Sequence, residues 1–142
     1  MADLTPKPVR QNISSGAKWE GNIGYSRAVR IGNLVWVAGT TAADENTQPV
    51  GVGDAYAQAR FIFSKIERAL NEAGATLHDV VRTRVFLVNI DDWEQVGRAH
   101  GEVFGAIRPA ATMLAVTALI GPEYLLEIEV DACMTGSADT AI

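Results

Sequence analysis

With 142 residues and 48% apolar side chains, the chain is sized for a single domain with a substantial core. Its net charge of −5 and pI near 4.9 oppose a nucleic-acid groove, which needs a basic stripe. No run of eighteen apolar residues offers a membrane span, the single cysteine, Cys133, permits no internal disulfide, and the two histidines, His78 and His100, have no zinc-ligand spacing.

The N-terminal "MADLTPKPVRQN" lacks an apolar signal core, which together with the lone cysteine predicts a cytoplasmic, reducing location. Residues up to about Tyr25 are polar and rich in Gly and Ser; they read as a poorly ordered end (1–22) with a short strand near Val9–Ile13. "SRAVRIGNLVWVAGT" then predicts two strands joined by a tight turn at Gly32-Asn33, the second running over Leu34–Thr40. The turn-forming stretch "TAADENTQPVGVG" is a loop.

The clearest helix is "DAYAQARFIFSKIERALNEAGA". Asp54 is placed to cap it and Gly74 to end it, and Ala55, Ala59, Ile62, Ile66, Ala69 and Ala73 fall on one face. "DVVRTRVFLVNI" reads as a strand with Arg82, Arg84, Phe86 and Val88 on one side. A second helix follows over "DDWEQVGRAHGEVFGAI", with Asp91 and Glu94 spaced as a capping box and Trp93, Val96, His100, Val103 and Ile107 as its apolar stripe. Thr112–Leu119 and Tyr124–Met134 close the chain as strands joined through Gly121-Pro122. In the last strand Leu126, Ile128 and Val130 alternate with Glu127, Glu129 and Asp131, acids that would pair with Arg82 and Arg84 if the two strands are neighbours. The tail from residue 135 to 142 is expected to be poorly ordered. No internal repeat or second domain is visible, so 1–142 is one domain. The order β-β-α-β-α-β-β predicts an α+β fold, a sheet with two helices on one face. The helix-free face still carries apolar side chains, which predicts self-association.

The blocks "GNLVWVAGT", "AQARFIFSKIERALNEAGATLHDVVRTRVFLVNIDDW" and "PAATMLAVTAL…EYLLEIEVDA" resemble the Rid family, the YjgF-type reactive intermediate deaminases also labelled L-PSP endoribonucleases, from about Ile23 to Cys133. The resemblance implies a chorismate-mutase-like subunit in a homotrimer, with the sheets forming a central barrel and small-molecule clefts between subunits. It implies hydrolysis of reactive enamines and imines to keto acids and ammonia. Carried over residue by residue, Tyr25 matches the family's cleft tyrosine, Gly39 the glycine ending the second strand, Glu127 the glutamate of the last strand, and Thr112 a Ser/Thr position. The arginine that grips the substrate carboxylate falls on Ala111, and an asparagine frequent in the second helix falls on Gly97. The connection "FGAIRPAAT" is also shorter than in the deaminating members.

Glu127 is therefore the expected catalytic group, orienting or deprotonating a water that attacks an imine carbon. Tyr25, Gly39, Ala111 and Thr112 are the expected ligand contacts. Without a cation at 111, imines of ordinary α-amino acids are expected to be poor substrates, and the ligand to be a neutral imine, enamine or carbonyl compound. Pro109 biases Arg108 toward an extended conformation, so Arg108 is not expected to replace the missing arginine. No GxGxxG or P-loop pattern occurs, and neither a cofactor nor a metal is predicted. His100 and Trp93 read as packing residues and Cys133 as a small buried hydrophobe. Two other functional classes remain: a non-catalytic small-molecule-binding or regulatory trimer, and a ribonuclease, which the acidic charge and scarce histidines disfavour.

Overall fold

The fold was analysed in a computed structural model, which describes residues 1, 2 and 4–136. In chain order it contains β1 (Arg10–Ile13), α1 (Lys18–Ile23), β2 (Ala28–Ile31), β3 (Leu34–Thr40), α2 (Ala55–Glu72), β4 (Val80–Leu87), α3 (Trp93–Phe104), β5 (Ala110–Ala115) and β6 (Leu126–Cys133). The six strands form one mixed sheet in the order β1-β2-β3-β6-β4-β5. The α+β prediction holds, with one short helix more than the sequence suggested.

The β2–β3 hairpin turns at Gly32-Asn33, where Gly32 supplies a positive φ of +60°. β3 pairs antiparallel with β6, β6 with β4, and β4 alone pairs in parallel, with β5. The side chains of Val35, Val37, Val85, Leu87, Leu126, Ile128 and Val130 point to one face and are buried under α2 and α3. α2 contributes the predicted stripe: Ala55, Ala59, Ile62, Ile66, Ala69 and Ala73 are all buried. The Asp54 side chain accepts a bond from the Ala57 amide at its start (2.9 Å). At its end Gly74 takes φ +87° and the Ala75 amide reaches back to the Leu70 carbonyl, a Schellman termination.

The opposite, helix-free face mixes charge with partly exposed apolar groups. It carries Arg82, Arg84, Glu127, Glu129 and Asp131 beside Leu34, Trp36 and Leu114. The predicted pairing across β4 and β6 occurs at Arg84, whose guanidinium lies 3.4 Å from Glu129 and 3.2 Å from Asp131.

Several sequence expectations need correction. The first 22 residues, expected as a loose end, hold β1 and most of α1. Glu20 on α1 folds back and accepts hydrogen bonds from both the amide and the hydroxyl of Ser15, which fixes this short segment. The two final strands are not a paired unit: β4 lies between them, so residues 116–125 cross over it. β5 is also shorter than predicted, ending at Ala115. The Asp91/Glu94 capping box does not form; Asn89 instead accepts from the Asp91 amide in a 3-10 turn leading into α3. Trp93, assigned to the apolar stripe, is 54% exposed because that turn rotates it outward, whereas Val96 on the same helix is buried. Arg108 is left-handed (φ +58°) rather than extended: its amide bonds back to the Phe104 carbonyl, ending the helical turn in the conformation usually given to glycine. Of the tail, Thr135 and Gly136 have no regular structure, and 137–142 lie outside the described residues.

Candidate functional site

The second hairpin strand contains one extra residue where it passes β6. Val37 is opposite Val130 and Thr40 opposite Ile128, so three steps on β3 span two on β6. The resulting bulge at Ala38-Gly39 re-aims the strand end. Gly39 sits there with an ordinary φ, so its requirement is space: an added Cβ would overlap the Oε1 atom of Glu127. Glu127 itself projects from β6 onto the helix-free face and is half-buried. Burial raises its pKa, the Arg27 charge opposes this, and neighbouring Glu129 adds to it. Among the described residues its carboxylate makes no hydrogen bond or ion pair.

Arg27 stands at the entrance to β2. Its Nη1 donates to the Gly39 carbonyl and to the Thr40 hydroxyl, each at 2.9 Å, and its Cζ lies 5.7 Å from the centroid of the Tyr25 ring. Thr40 Oγ1 is buried and donates in turn to the Ala38 carbonyl at 2.8 Å. From the other side Lys65 of α2 donates to the Thr41 and Ala43 carbonyls (2.9 and 2.8 Å), pinning the segment beyond the bulge. Burial, followed by the nearby cations Arg27 and Arg68, depresses Lys65 to about 8. Gln58, fully buried on α2, donates to the Glu123 carbonyl (2.8 Å) and accepts from the Leu125 amide (2.9 Å), which holds the approach to β6.

The predicted residues therefore fall into two groups. Tyr25, Gly39 and Glu127 converge around Arg27. Thr112 and Ala111 lie on β5, at the sheet edge, with β4 between them and β6. Two strand spacings of about 4.8 Å put this edge roughly 10 Å from β6. Thr112, in register with Arg84, shares the helix-free face with Glu127; Ala111, in register with Thr83, points to the other side. Arg27, Lys65 and Gln58 were missed by sequence reasoning. Arg27 carried one usable signal, a basic residue two positions after the cleft tyrosine, but only the bulge shows what it touches.

A family model described as endoribonuclease L-PSP matches residues 18–134. The chain belongs to this family, the YjgF or Rid proteins. Among Rid-family relatives, protein SCO2049 of Streptomyces coelicolor is 40% identical over 129 residues, 91% of this chain and 95% of its own. The 3-aminoacrylate deaminase RutC of Acinetobacter baylyi is 36% identical over 104 residues, 73% of this chain and 82% of its own. The crystal structure of Rv2704 from Mycobacterium tuberculosis, of the YjgF/YER057c/UK114 family, superimposes with a TM-score of 0.80 at 50% identity, covering 89% of this chain and all of that one. The Rid protein YyfA of Yersinia pestis gives a TM-score of 0.76 at 27% identity, with 89% and 100% covered.

Proposed function

We propose that this Rid-family chain hydrolyses a small imine or enamine to a carbonyl compound and ammonia, in clefts shared between copies of a homotrimer. One observation carries the reading: the half-buried Glu127 carboxylate, raised in pKa and unpaired within the chain, faces the space kept open by Gly39. A carboxylate so placed is a general base for water. As the water oxygen bonds to the imine carbon, Glu127 takes a proton and the nitrogen gains one. The resulting carbinolamine returns a proton to Glu127 and loses another to the departing nitrogen, and the C–N bond breaks to give ammonia. An enamine enters the same sequence once its carbon is protonated. The printed activity of the RutC relative supports this class of chemistry.

The shared cleft follows from the division of the site residues. Ala111 and Thr112 are distant from Glu127 within one chain, so they join it only as contributions from a neighbouring copy. The net charge of −5 weighs against RNA as the substrate. The deciding assay measures ammonia released from 2-aminoacrylate and 3-aminoacrylate generated in situ, with Glu127→Gln as the control. Release that disappears in the variant supports hydrolysis. Ligand binding without release assigns the protein to the non-catalytic class.

A further inference from the structure

We infer that Arg27 is the carboxylate-binding residue of this cleft, supplying from the start of β2 the cation that position 111 does not. The inference rests on the hydrolase reading for the choice of cleft and names the ligand class: a small carboxylate with its reactive carbon one or two bonds away.

Only one of the three guanidinium nitrogens is used within the protein. Nη1 is committed to the Gly39 carbonyl and the Thr40 hydroxyl. Among the described residues, Nε and Nη2 donate to no acceptor. These two atoms form the side-on fork that matches a carboxylate with two parallel hydrogen bonds. The Nη1 bonds fix the guanidinium against the bulge and the Tyr25 ring lies beside it, so the fork is held before a ligand arrives. A purely structural role for Arg27, bracing the bulge, accounts for Nη1 and leaves the other donors unexplained on a half-buried side chain.

The position relative to Glu127 gives the ligand its direction. The two groups feel one another electrostatically, yet they form no ion pair at the 4.0 Å limit. Opposite charges on one open face, separated across a glycine, leave room for a small molecule between them. A carboxylate on Arg27 directs the adjacent carbon toward the Glu127 carboxylate, where water is activated. The sequence expectation of a neutral ligand considered position 111; the structure places a cation on another strand.

The test uses pyruvate and its neutral counterpart pyruvamide as probes, in calorimetry on the wild type, Arg27→Gln and Arg27→Lys. Wild type is expected to bind pyruvate roughly tenfold or more tightly than pyruvamide, as a charge-assisted contact requires. Arg27→Gln should lose that preference while keeping pyruvamide binding, and Arg27→Lys should retain part of it. Equal binding of both probes by wild type, or an undiminished preference in folded Arg27→Gln, overturns the assignment. If Arg27→Gln does not fold, the Nε–H resonance of Arg27 in the wild type decides: it should shift on addition of pyruvate and not of pyruvamide, and a static resonance overturns the assignment. Ammonia release that is independent of Arg27 would sink this inference and leave Glu127's role standing. Arg27-dependent pyruvate preference without ammonia release from either imine would do the reverse.

Discussion

The carboxylate of Glu127 occupies the space that a side chain on Gly39 would fill. The two residues lie on neighbouring strands, and the bulge in β3 brings them into opposition. Gly39→Ala should therefore displace the carboxylate rather than strain the backbone, since Gly39 has no positive φ. We expect ammonia release to fall about 100-fold, the scale of a roughly 1 Å misplacement, with an unchanged circular dichroism spectrum. Wild-type turnover by Gly39→Ala would show that the carboxylate needs no fixed position.

Glu127 also leaves a signature in stability. Its folded pKa is raised above the model value of 4.5 by burial. Between 4.5 and the raised value the folded state holds the proton more tightly than the unfolded chain, so stability is full below this window and declines as pH rises through it. Glu127→Gln removes that decline. Urea midpoints of wild type and variant should diverge above pH 4.5, with the variant more stable at neutral pH; parallel curves would place the carboxylate in water.

His100 has the opposite sign. Its Nε2 lies 2.8 Å from the Thr83 hydroxyl, between the rings of Phe63 and Phe104, and burial lowers its pKa below 6.5. The folded state prefers the neutral ring, so stability is present above 6.5 and is lost as pH falls from 6.5 toward the folded value. His100→Leu should abolish this acid sensitivity. It should also cost about 1–3 kcal/mol at neutral pH by leaving the buried Thr83 hydroxyl unpartnered, as measured by urea unfolding at both ends of the range.

Gln58 bonds two backbone groups that have no other route to a partner in the chain. Gln58→Ala should cost about 1–3 kcal/mol for the unsatisfied groups. Hydrogen exchange should be faster at the Leu125 amide and near the start of β6, and unaltered at the β2–β3 hairpin.

Sedimentation equilibrium at micromolar concentration should give three times the 15.2 kDa chain mass. A monomer would leave Ala111 and Thr112 outside any site containing Glu127.

The parts of this architecture visible in the sequence are those set by local period. The alternation of Leu126, Ile128 and Val130 with acids, and the α2 stripe from Ala55 to Ala73, fix which face each element buries, and Asp54 and Gly74 mark the ends of α2. Strand order has no such local trace: nothing in "PAATMLAV" distinguishes pairing with β4 from pairing with β6. α1 is too short for a period and is held by the Glu20–Ser15 contact, which sequence spacing does not announce. Tyr25, Gly39 and Glu127 were legible as a group through family resemblance. Arg27 was not, because a basic residue before a strand looks like any solvated charge until a bulge brings a carbonyl to it.

The placement of β6 sets the order in which the molecule can be completed. Last in the chain, it lies in the middle of the sheet, with β3 on one side and β4 on the other. A nascent chain that stops short of Leu126 has the β1–β2–β3 ribbon and the β4–β5 pair with no strand to join them, each with an unsatisfied edge where β6 belongs. Closure depends on contacts distant in sequence, between Leu34 and Cys133 among others, which places this protein among the slower-folding topologies. During synthesis the β3 and β4 edges remain open to other strands until the final segment leaves the ribosome. The strand that carries Glu127 is thus also the one that seals the sheet, and the base of the cleft is assembled in the same step that makes the chain a single folded unit.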